Sequence, residues 1–396
     1  MVTAIGSCIK IGFLSLLSIF LLTHATTAYA ALSPDAAMLA RWIEDRQFQN
    51  PALQSYGAIA DAAGPAAIGA DGERYYNVSP YSANLAVIGL LQSGAPNAIT
   101  VAKRWIGWYF AHLDTQNAPD GVPFNHFYHA DGGAETTRVK PNDPSLCHYN
   151  DATDSAAATF FSVLMAAHEA HGPDSLLNTP HREQQIEKLA SLVLNLQQRD
   201  GLCWAKSNYR VKYLEDNSEV FAGLCALANL ERDVFTDAQR SAFYQNAAEQ
   251  VRAGILAELY DRKVGLFRVA KFENSSSASA NLNTWYPDTQ SQLWPVLFGV
   301  ITPNDPRAQT ATAAVNDRWN GPIRPDWARD PQQVNRRWVE GGHAYAALLM
   351  GETNRVQIYC EAVKRYKFKS NNDNPQFVGP FNVDDAGWLL RILTAL

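Results

Sequence analysis

Charged residues are scarce in this chain: they make up 18% of its 396 residues, below the roughly 25% of an average globular protein. Acidic residues outnumber basic ones, 39 against 33, and no basic run occurs. We therefore expect no nucleic-acid or anionic-lipid partner, because both require positively charged surfaces. The 47% of apolar residues instead predicts a large and well-buried core.

Several motifs that bind cofactors or present nucleophiles are also missing. The sequence has no Gly-x-Ser-x-Gly segment, no P-loop and no dinucleotide-binding glycine fingerprint. No spacing of Cys and His is typical of a zinc site. The sequence therefore predicts no metal and no other cofactor.

Cysteine is rare, with five residues in the whole chain. One of them, Cys8, precedes the apolar N-terminal run. The other four allow three disulfide pairings, between which the sequence does not choose. Cys225 and Cys360 fall in helical segments, whereas Cys147 and Cys203 fall in loops, so a bond between Cys147 and Cys203 is the favoured pairing.

The apolar N-terminal run is too short to be a typical membrane span. Lys10 precedes an apolar segment over residues 11–22, and Ala28-Tyr29-Ala30 has the small-x-small pattern of a cleavage site. This order predicts a secretory signal peptide over residues 1–30, with an uncleaved N-terminal anchor as the alternative. We expect an exported protein, periplasmic or secreted, whose residues 31–396 form a single domain with no membrane segment after cleavage.

One local pattern recurs six times along the remaining chain. An aromatic and acidic or amide cluster stands just ahead of an apolar run of helical length, rich in Ala and Gly. These runs begin near residues 80, 151, 216, 288, 340 and 384. A helix that is apolar nearly all round is buried, so we interpret these six as inner helices whose small residues permit close packing.

Segments with one apolar stripe alternate with the six apolar runs. They cover residues 33–48, 97–113, 180–198, 236–260, 305–319 and 353–368. Such segments pack one face on a core and expose the other. Two kinds of helix alternating six times predict an all-α fold, an (α/α)6 toroid of six helical hairpins. Residues 201–217 and 265–276 alternate in polarity like short β-ribbons, and together with long loops at 121–150 and 318–338 we expect them where the inner helices start.

This layout resembles the six-hairpin (α/α)6 toroids of glycoside hydrolases and related polysaccharide lyases, over residues 34–396. The resemblance implies a substrate cleft at the N-terminal ends of the inner helices. Ala152-Thr153-Asp154 is similar to the Ala-Ser/Thr-Asp segment of family 8 endoglucanases, but Ala156 stands where that family has a second Asp. The similarity is therefore one of architecture, and no family is assigned.

Acidic residues mark five of the six inner-helix starts. Asp151 and Asp154 are spaced to share one face of a helical turn, and Asp216 and Glu219 repeat that spacing one hairpin later. Glycoside hydrolysis usually requires two carboxylates across the scissile bond. The predicted catalytic candidates are Asp151, Asp154, Asp216, Asp288 and Glu340. The alternative interpretation is helix capping, which also favours acids at these positions.

Aromatic residues accompany these acids, as expected where sugar rings and hydroxyls are bound together. The predicted substrate-binding residues are His148, Tyr149, Trp204, Trp285, Tyr286, Trp338, His343 and Asp384. Large aromatic side chains also close the ends of helical cores, so that interpretation stays open.

The sequence thus predicts an exported, monomeric glycoside hydrolase with an oligo- or polysaccharide substrate. Because its carboxylates stand on separate helices, an inverting mechanism is favoured over a retaining one, which stays open. Two alternatives are a polysaccharide lyase that uses Tyr and His on an acidic glycan, and a glycan-binding toroid without activity. Neither the sugar nor the linkage follows from the sequence.

Overall fold

Helices make up most of the structure, a computed structural model that describes residues 32–396 apart from 69–71, 114–120, 122, 134, 137–151, 173–176, 178, 320–339, 372–373 and 378–380. The helices of these residues are Pro34–Glu44 (α1), Pro80–Ser93 (α2), Ala98–Ala111 (α3), Thr153–His171 (α4), Pro180–Leu196 (α5), Leu214–Asp233 (α6), Ala238–Gly254 (α7), Trp294–Leu297 (α8), Pro306–Trp319 (α9), Gly341–Leu349 (α10), Thr353–Lys367 (α11) and Val383–Ala395 (α12). None of them has the length and apolar content that a bilayer span requires.

The six predicted inner helices form a closed ring. Helix α2 packs on α4, α4 on α6, α6 on α8, α8 on α10, α10 on α12, and α12 returns to α2. The other six helices pack around this ring, each against an inner element that precedes or follows it: α1 on α12, α3 on α2 and α4, α5 on α4, α7 on α6, α9 on the turn Gln290–Leu293 ahead of α8, and α11 on α10. The predicted (α/α)6 toroid is therefore confirmed.

Glycine allows the inner helices to approach closely, as their composition predicts. A Cβ at Gly89 on α2 would overlap the backbone of Gly387 on α12, and a Cβ at Gly223 on α6 would overlap the carbonyl of Ala158 on α4. Backbone-to-backbone contact of this kind leaves no room for any side chain. The ring is therefore narrowest where glycine and alanine face each other.

The fourth inner element is the shortest. The sequence predicts a helix from residue 288, but a 3₁₀ turn over Gln290–Leu293 precedes a helix of only four residues, Trp294–Leu297. Pro295 occupies the first turn of that helix, and Gly299 ends the element with a φ of 76°. A glycine in the left-handed conformation commonly ends a helix. The element is therefore short because Pro295 lies in its first turn and Gly299 follows its last residues.

Short antiparallel strands complete the described structure. They are Ala67–Ile68 (β1), Arg74–Val78 (β2), His126–His129 (β3), Glu135–Thr136 (β4), Val211–Tyr213 (β5), Tyr260–Asp261 (β6), Leu266–Phe267 (β7), Ala270–Phe272 (β8), Ser277–Ala278 (β9), Phe368–Asn371 (β10) and Asn374–Phe377 (β11). Both predicted ribbons are present, and they pair with each other: β5 lies beside β8, with Lys212 opposite Lys271. The sheet β1-β2-β3-β4 was not predicted.

The favoured disulfide is not formed. Cys203 is a free thiol that lies fully buried, with its Sγ 3.8 Å from the carbonyl oxygen of Val193. Cys147 lies outside the described residues. Because Cys203 is in the core behind α5, it belongs to the packing of the hairpin and not to a loop surface.

Candidate active site

The N-terminal ends of all six inner helices surround one cavity of about 840 Å³. Its walls are formed by Tyr81, Ala152, Ser155, Ala205, Lys206, Tyr209, Tyr213, Glu215, Asp216, Glu219, Tyr286, Pro287, Gln290, Trp294, Glu340, Gly341, Gly342, Asn382, Asp384, Asp385 and Trp388. A cleft in this position agrees with the sequence-based expectation.

Carboxyl groups dominate the charge of the cavity wall. Six of the lining residues are acidic, and they come from three inner elements: Glu215, Asp216 and Glu219 from α6, Glu340 at the start of α10, and Asp384 with Asp385 from α12. The positive ends of the helix dipoles point at this wall and stabilise negative charge there. In a ring of six, α6 and α12 stand opposite each other, so the two largest acidic groups face across the cavity.

Glu219 is held by side chains from two other inner helices. Its Oε1 accepts a 2.7 Å hydrogen bond from the hydroxyl of Tyr81 and a 3.2 Å hydrogen bond from Nε1 of Trp294. The side chain is 2% exposed. Burial, with the charge of Asp216 as the second cause, raises the pKa of Glu219 to about 8. Glu219 is therefore mostly protonated at neutral pH.

Asp384 has a second carboxyl group, Asp61, behind it. The backbones of the two segments are joined, since Val383 N–H donates a 2.8 Å hydrogen bond to the carbonyl of Asp61 and Ala62 pairs with Asn382. Burial and then the charge of Asp61 raise the pKa of Asp384 to about 7. Burial also raises the pKa of Asp61, to about 6. These two carboxyls titrate as a pair.

Asp385 caps its own helix. Asn382 and Asp385 form a capping box, in which each side chain accepts a hydrogen bond from the other residue's backbone N–H. Burial is the largest cause of a pKa well above the usual range for Asp385, followed by the charges of Asp384 and Glu340. The capping interpretation is correct here, and Asp385 still lines the cavity.

Four of the predicted site residues reach the cavity: Asp216, Tyr286, Glu340 and Asp384. Glu340 is the N-cap of α10 without a side-chain capping bond, and its backbone N–H donates to the hydroxyl of Tyr359 at 2.5 Å. The side chain of Tyr286 is 65% exposed. For these four, the position ahead of an inner helix was a sufficient signal.

Asp154 lies behind the wall, although we expected it to face the cleft. Its neighbours Ala152 and Ser155 line the cavity, while Asp154 itself is 0% exposed. Oδ1 accepts a 2.9 Å hydrogen bond from Ser155 N–H, and no described residue donates to Oδ2. Burial, then the charge of Asp216, raises its pKa well above the usual range. The helix begins at Thr153 with Ala152 as its N-cap. With this start, the Asp154 side chain lies in the core and not in the cavity wall.

Other predicted residues do not line the cavity. Oδ1 of Asp288 accepts a 2.7 Å hydrogen bond from Asn281 N–H and so holds the preceding turn. Trp285 is buried with its ring 4.9 Å from that of His343, and burial lowers the pKa of His343 to about 3. Trp204 packs on the core beneath Lys212, whose Nζ is 4.3 Å from the ring centre. Trp285, Trp204 and His343 therefore pack in or on the core, as the alternative interpretation allowed for large aromatic side chains.

Asp151, His148, Tyr149 and Trp338 lie outside the described residues, and their predicted roles stay predictions.

Several lining residues were not among the predicted site residues. Glu219 had a signal, since it repeats the spacing of the acids one hairpin earlier, but Tyr81 and Trp388 lie inside apolar helical runs where nothing distinguishes them from core. Tyr209 and Tyr213 belong to a ribbon that the sequence does not place beside α4. Only the closure of the ring brings these side chains together.

Comparison with known proteins shows the fold. No protein-family model and no curated protein matches the sequence. Among solved structures, a glycosidase in complex with glucose superposes with a TM-score of 0.59 at 17% identity, covering 91% of this chain and 96% of that one. An alpha-amylase from Clostridium perfringens superposes with a TM-score of 0.55 at 11% identity, covering 91% of this chain and 97% of that one. A rhamnosidase from Klebsiella oxytoca with rhamnose bound superposes with a TM-score of 0.52 at 13% identity, covering 92% of this chain and 64% of that one. The chain thus has the helical-toroid fold of these glycosidases.

Proposed function

We propose that this protein is an exported glycoside hydrolase, with Glu219 as the general acid and Asp384 as the general base. The observation that carries the proposal is that Glu219, a buried carboxyl on α6 whose pKa is raised to about 8, lines the same cavity as Asp384 on the opposite helix. The glycosidase neighbours support it through their shared architecture.

Glu219 has the properties of a proton donor. Its Oε1 accepts from both Tyr81 and Trp294, so the acid proton resides on Oε2. A general acid works best when its pKa lies near the operating pH, because it is then protonated and still acidic enough to transfer the proton. A pKa of about 8 meets that condition. In the reaction, the proton passes from Glu219 Oε2 to the glycosidic oxygen as the bond to the leaving sugar breaks.

Asp384 fits the complementary role. Its pKa of about 7 makes it largely ionised in the range where Glu219 is still protonated, so one pH supports both states. As a base it accepts a proton from a water molecule, and the resulting hydroxide adds to the anomeric carbon. Burial, and then the negative charge of Asp216 on the same helix, raise the pKa of Glu219 and so favour its protonated form.

The opposite placement of α6 and α12 favours inversion. Inverting enzymes hold their two carboxyls roughly 6.5–9.5 Å apart so that a water fits beneath the sugar, whereas retaining enzymes need about 5 Å. Residues on facing helices leave the cavity between them, which suits the wider separation. The first-formed anomer of the product, observed by proton NMR during hydrolysis, tests this assignment.

The lyase alternative has less support. It requires a Tyr or His base with a positive site for a uronate. Tyrosines line the cavity, but His343, whose pKa burial lowers to about 3, is not in the cavity wall. Among the residues that the structure describes, the wall carries six acidic residues and one basic residue, Lys206. An anionic sugar is repelled by such a wall, so a neutral glycan is the better substrate.

Product analysis on a panel of neutral and acidic glycans tests the function. We expect new reducing ends from neutral glycans without absorbance in the near ultraviolet. Unsaturated products from uronate polymers would instead establish the lyase, and binding without any product would leave a glycan-binding toroid. Glucose and rhamnose glycosides are the first to test, since structural neighbours were solved with those sugars.

A further inference from the structure

One wall of the cavity is a hairpin that carries two tyrosines. The chain turns back at residues 206–209, where Lys206 and Tyr209 pair through their backbones, and Ala205 N–H donates a 2.8 Å hydrogen bond to the carbonyl of Val211. We call residues 205–213 the tyrosine hairpin. The hydroxyls of Tyr209 and Tyr213 are 2.8 Å apart, and their rings are inclined by 30°.

The tyrosine hairpin is fixed at both ends. Thr153 N–H at the start of α4 donates a 2.8 Å hydrogen bond to the carbonyl of Ala205. Lys212, 4% exposed, donates 2.7 Å hydrogen bonds to both carboxylate oxygens of Asp200, and Lys271 on the paired strand reaches the same carboxylate at 2.9 Å. A charged network with this little exposure holds the strand in place. The rings of Tyr209 and Tyr213 therefore stand on a rigid support.

The exposure of these aromatics is unusual for a core-forming residue type. In the described residues, Tyr209 is 48% exposed and Tyr286, on the segment before α8, is 65% exposed. Both line the cavity. Rings with this much exposed surface beside a cavity are available to bind flat apolar surfaces such as the C–H face of a sugar. Their position therefore indicates a binding surface.

The position of the tyrosine hairpin relative to Glu219 indicates which sugar of the substrate the hairpin contacts. The hairpin runs directly into α6, so Tyr213 is followed after one residue by Glu215, and Glu219 lies one turn further on. Tyr286 belongs to the next inner element in the ring, α8. The leaving sugar is the one that lies beside the general acid, because its oxygen receives the proton. The base, Asp384, stands on the other side.

We propose that Tyr209, Tyr213 and Tyr286 form the subsite for the leaving-group sugar, and that this sugar is neutral. The inference rests on the proposed hydrolase function and adds that the substrate has at least two sugar units. Tyr209 and Tyr286 contact the ring face, while the Tyr213 hydroxyl and the ammonium of Lys206, which also lines the cavity, bind sugar hydroxyls.

Glycosyl fluorides test this subsite, because fluoride leaves without any sugar. We would measure kcat/KM of Tyr286→Ala and Tyr209→Ala on α- and β-glucosyl and rhamnosyl fluorides, and on disaccharides of the same sugars. For disaccharides we expect a loss of about 10-fold in each variant, the value of one aromatic contact. For the fluorides we expect a change of less than about 2-fold, since the subsite stays empty.

Two further variants serve as controls. Phe243→Ala removes a ring of similar exposure, 56%, that does not line the cavity, and should change neither substrate class. Tyr209→Phe keeps the ring and should retain most of the disaccharide activity. Equal losses on fluorides and disaccharides, or no loss on either, would overturn the subsite.

Failure of the hydrolase proposal gives a different result. If wild-type protein turns over neither fluorides nor disaccharides, the proposed reaction is wrong. Calorimetric titration then decides the subsite separately: disaccharides should bind wild-type protein more tightly than their monosaccharides, and Tyr286→Ala should remove that difference. Equal affinities of wild-type protein for both would refute the subsite as well.

Discussion

The hydroxyl of Tyr81 on α2 donates a 2.7 Å hydrogen bond to Glu219 on α6, a residue 138 positions further along the chain. Nε1 of Trp294 on α8 donates to the same oxygen. Three inner helices therefore hold a single carboxyl group. Both donors meet Oε1, which leaves Oε2 as the oxygen that carries the proton in the proposed reaction.

Replacing Glu219 by Gln tests its role as the acid. The amide keeps the shape and one acceptor for Tyr81 and Trp294, but it has no proton to transfer. We expect a folded protein whose kcat on sugar leaving groups falls by about 100-fold or more. Substrates with an activated aryl leaving group, which need less protonation, should lose much less.

Glu215 is the matched control for Glu219, since it lines the same cavity from the first turn of α6 but is half-buried. Glu215→Gln should mainly raise KM, by about 10-fold or less, as expected for a substrate contact. If Glu215→Gln loses the activity on sugar leaving groups and Glu219→Gln retains it, the acid is Glu215 and our assignment within α6 is wrong.

Activity should depend on pH through a bell-shaped curve. Glu219 must be protonated, so activity should fall as pH rises through about 8. Asp384 must be ionised, so activity should fall as pH drops through about 7. The maximum should therefore lie between these two values, which initial rates across a pH series would show. A plateau that continues down to pH 5 contradicts the assignment of Asp384.

Asp61→Asn should move only one limb of that curve. The charge of Asp61 raises the pKa of Asp384, so its removal should lower that pKa and shift the acidic limb to lower pH. The alkaline limb, which belongs to Glu219, should stay in place. An unchanged acidic limb would show that Asp61 does not act on the base, and a shift of both limbs would show that its effect is not confined to Asp384.

Asp154→Asn should leave activity within about 3-fold of wild type. The carboxyl lies behind the cavity wall, where burial raises its pKa well above the usual range and disfavours the charged form, so an amide of the same shape replaces it at little cost. Turnover and thermal unfolding of the purified variant measure both effects. A loss of about 100-fold in the turnover of a folded variant would show that Asp154 is a catalytic residue after all.

Gly89→Ala should destabilise the ring, because the new Cβ would overlap the backbone of Gly387. We expect a loss of about 2–3 kcal/mol in the free energy of unfolding, typical of overpacking. Gly107→Ala is the control within α3, where a Cβ has no neighbour within 4 Å. That change should stabilise the protein by about 0.5–1 kcal/mol through helix propensity. Urea unfolding compares the two.

Export should remove residues 1–30, because Ala28-Tyr29-Ala30 follows the apolar run. N-terminal sequencing of protein recovered from outside the cytoplasm should begin at Ala31. Recovery of Met1 in a membrane fraction would show that the segment is an uncleaved anchor.

The sequence by itself determined the order and type of the helices. Apolar runs rich in Ala and Gly, alternating with amphipathic ones, predicted inner starts at 80, 340 and 384, within one residue of the helices that begin at Pro80, Gly341 and Val383. Burial periodicity is a local property, so a single sequence contains it. The acids Asp216, Glu340 and Asp384 followed from the same pattern, because helix starts point into the ring.

The tertiary structure decided which side chains meet. Asp154 and Asp384 have similar local sequence signals, yet one lies behind the wall and the other lines it. The difference arises from where each helix begins and how it is rotated against its neighbours. Glu219 looks like one more helix residue until Tyr81 and Trp294 close on it. Contacts between residues so far apart depend on ring closure, and no periodicity along one segment contains that information.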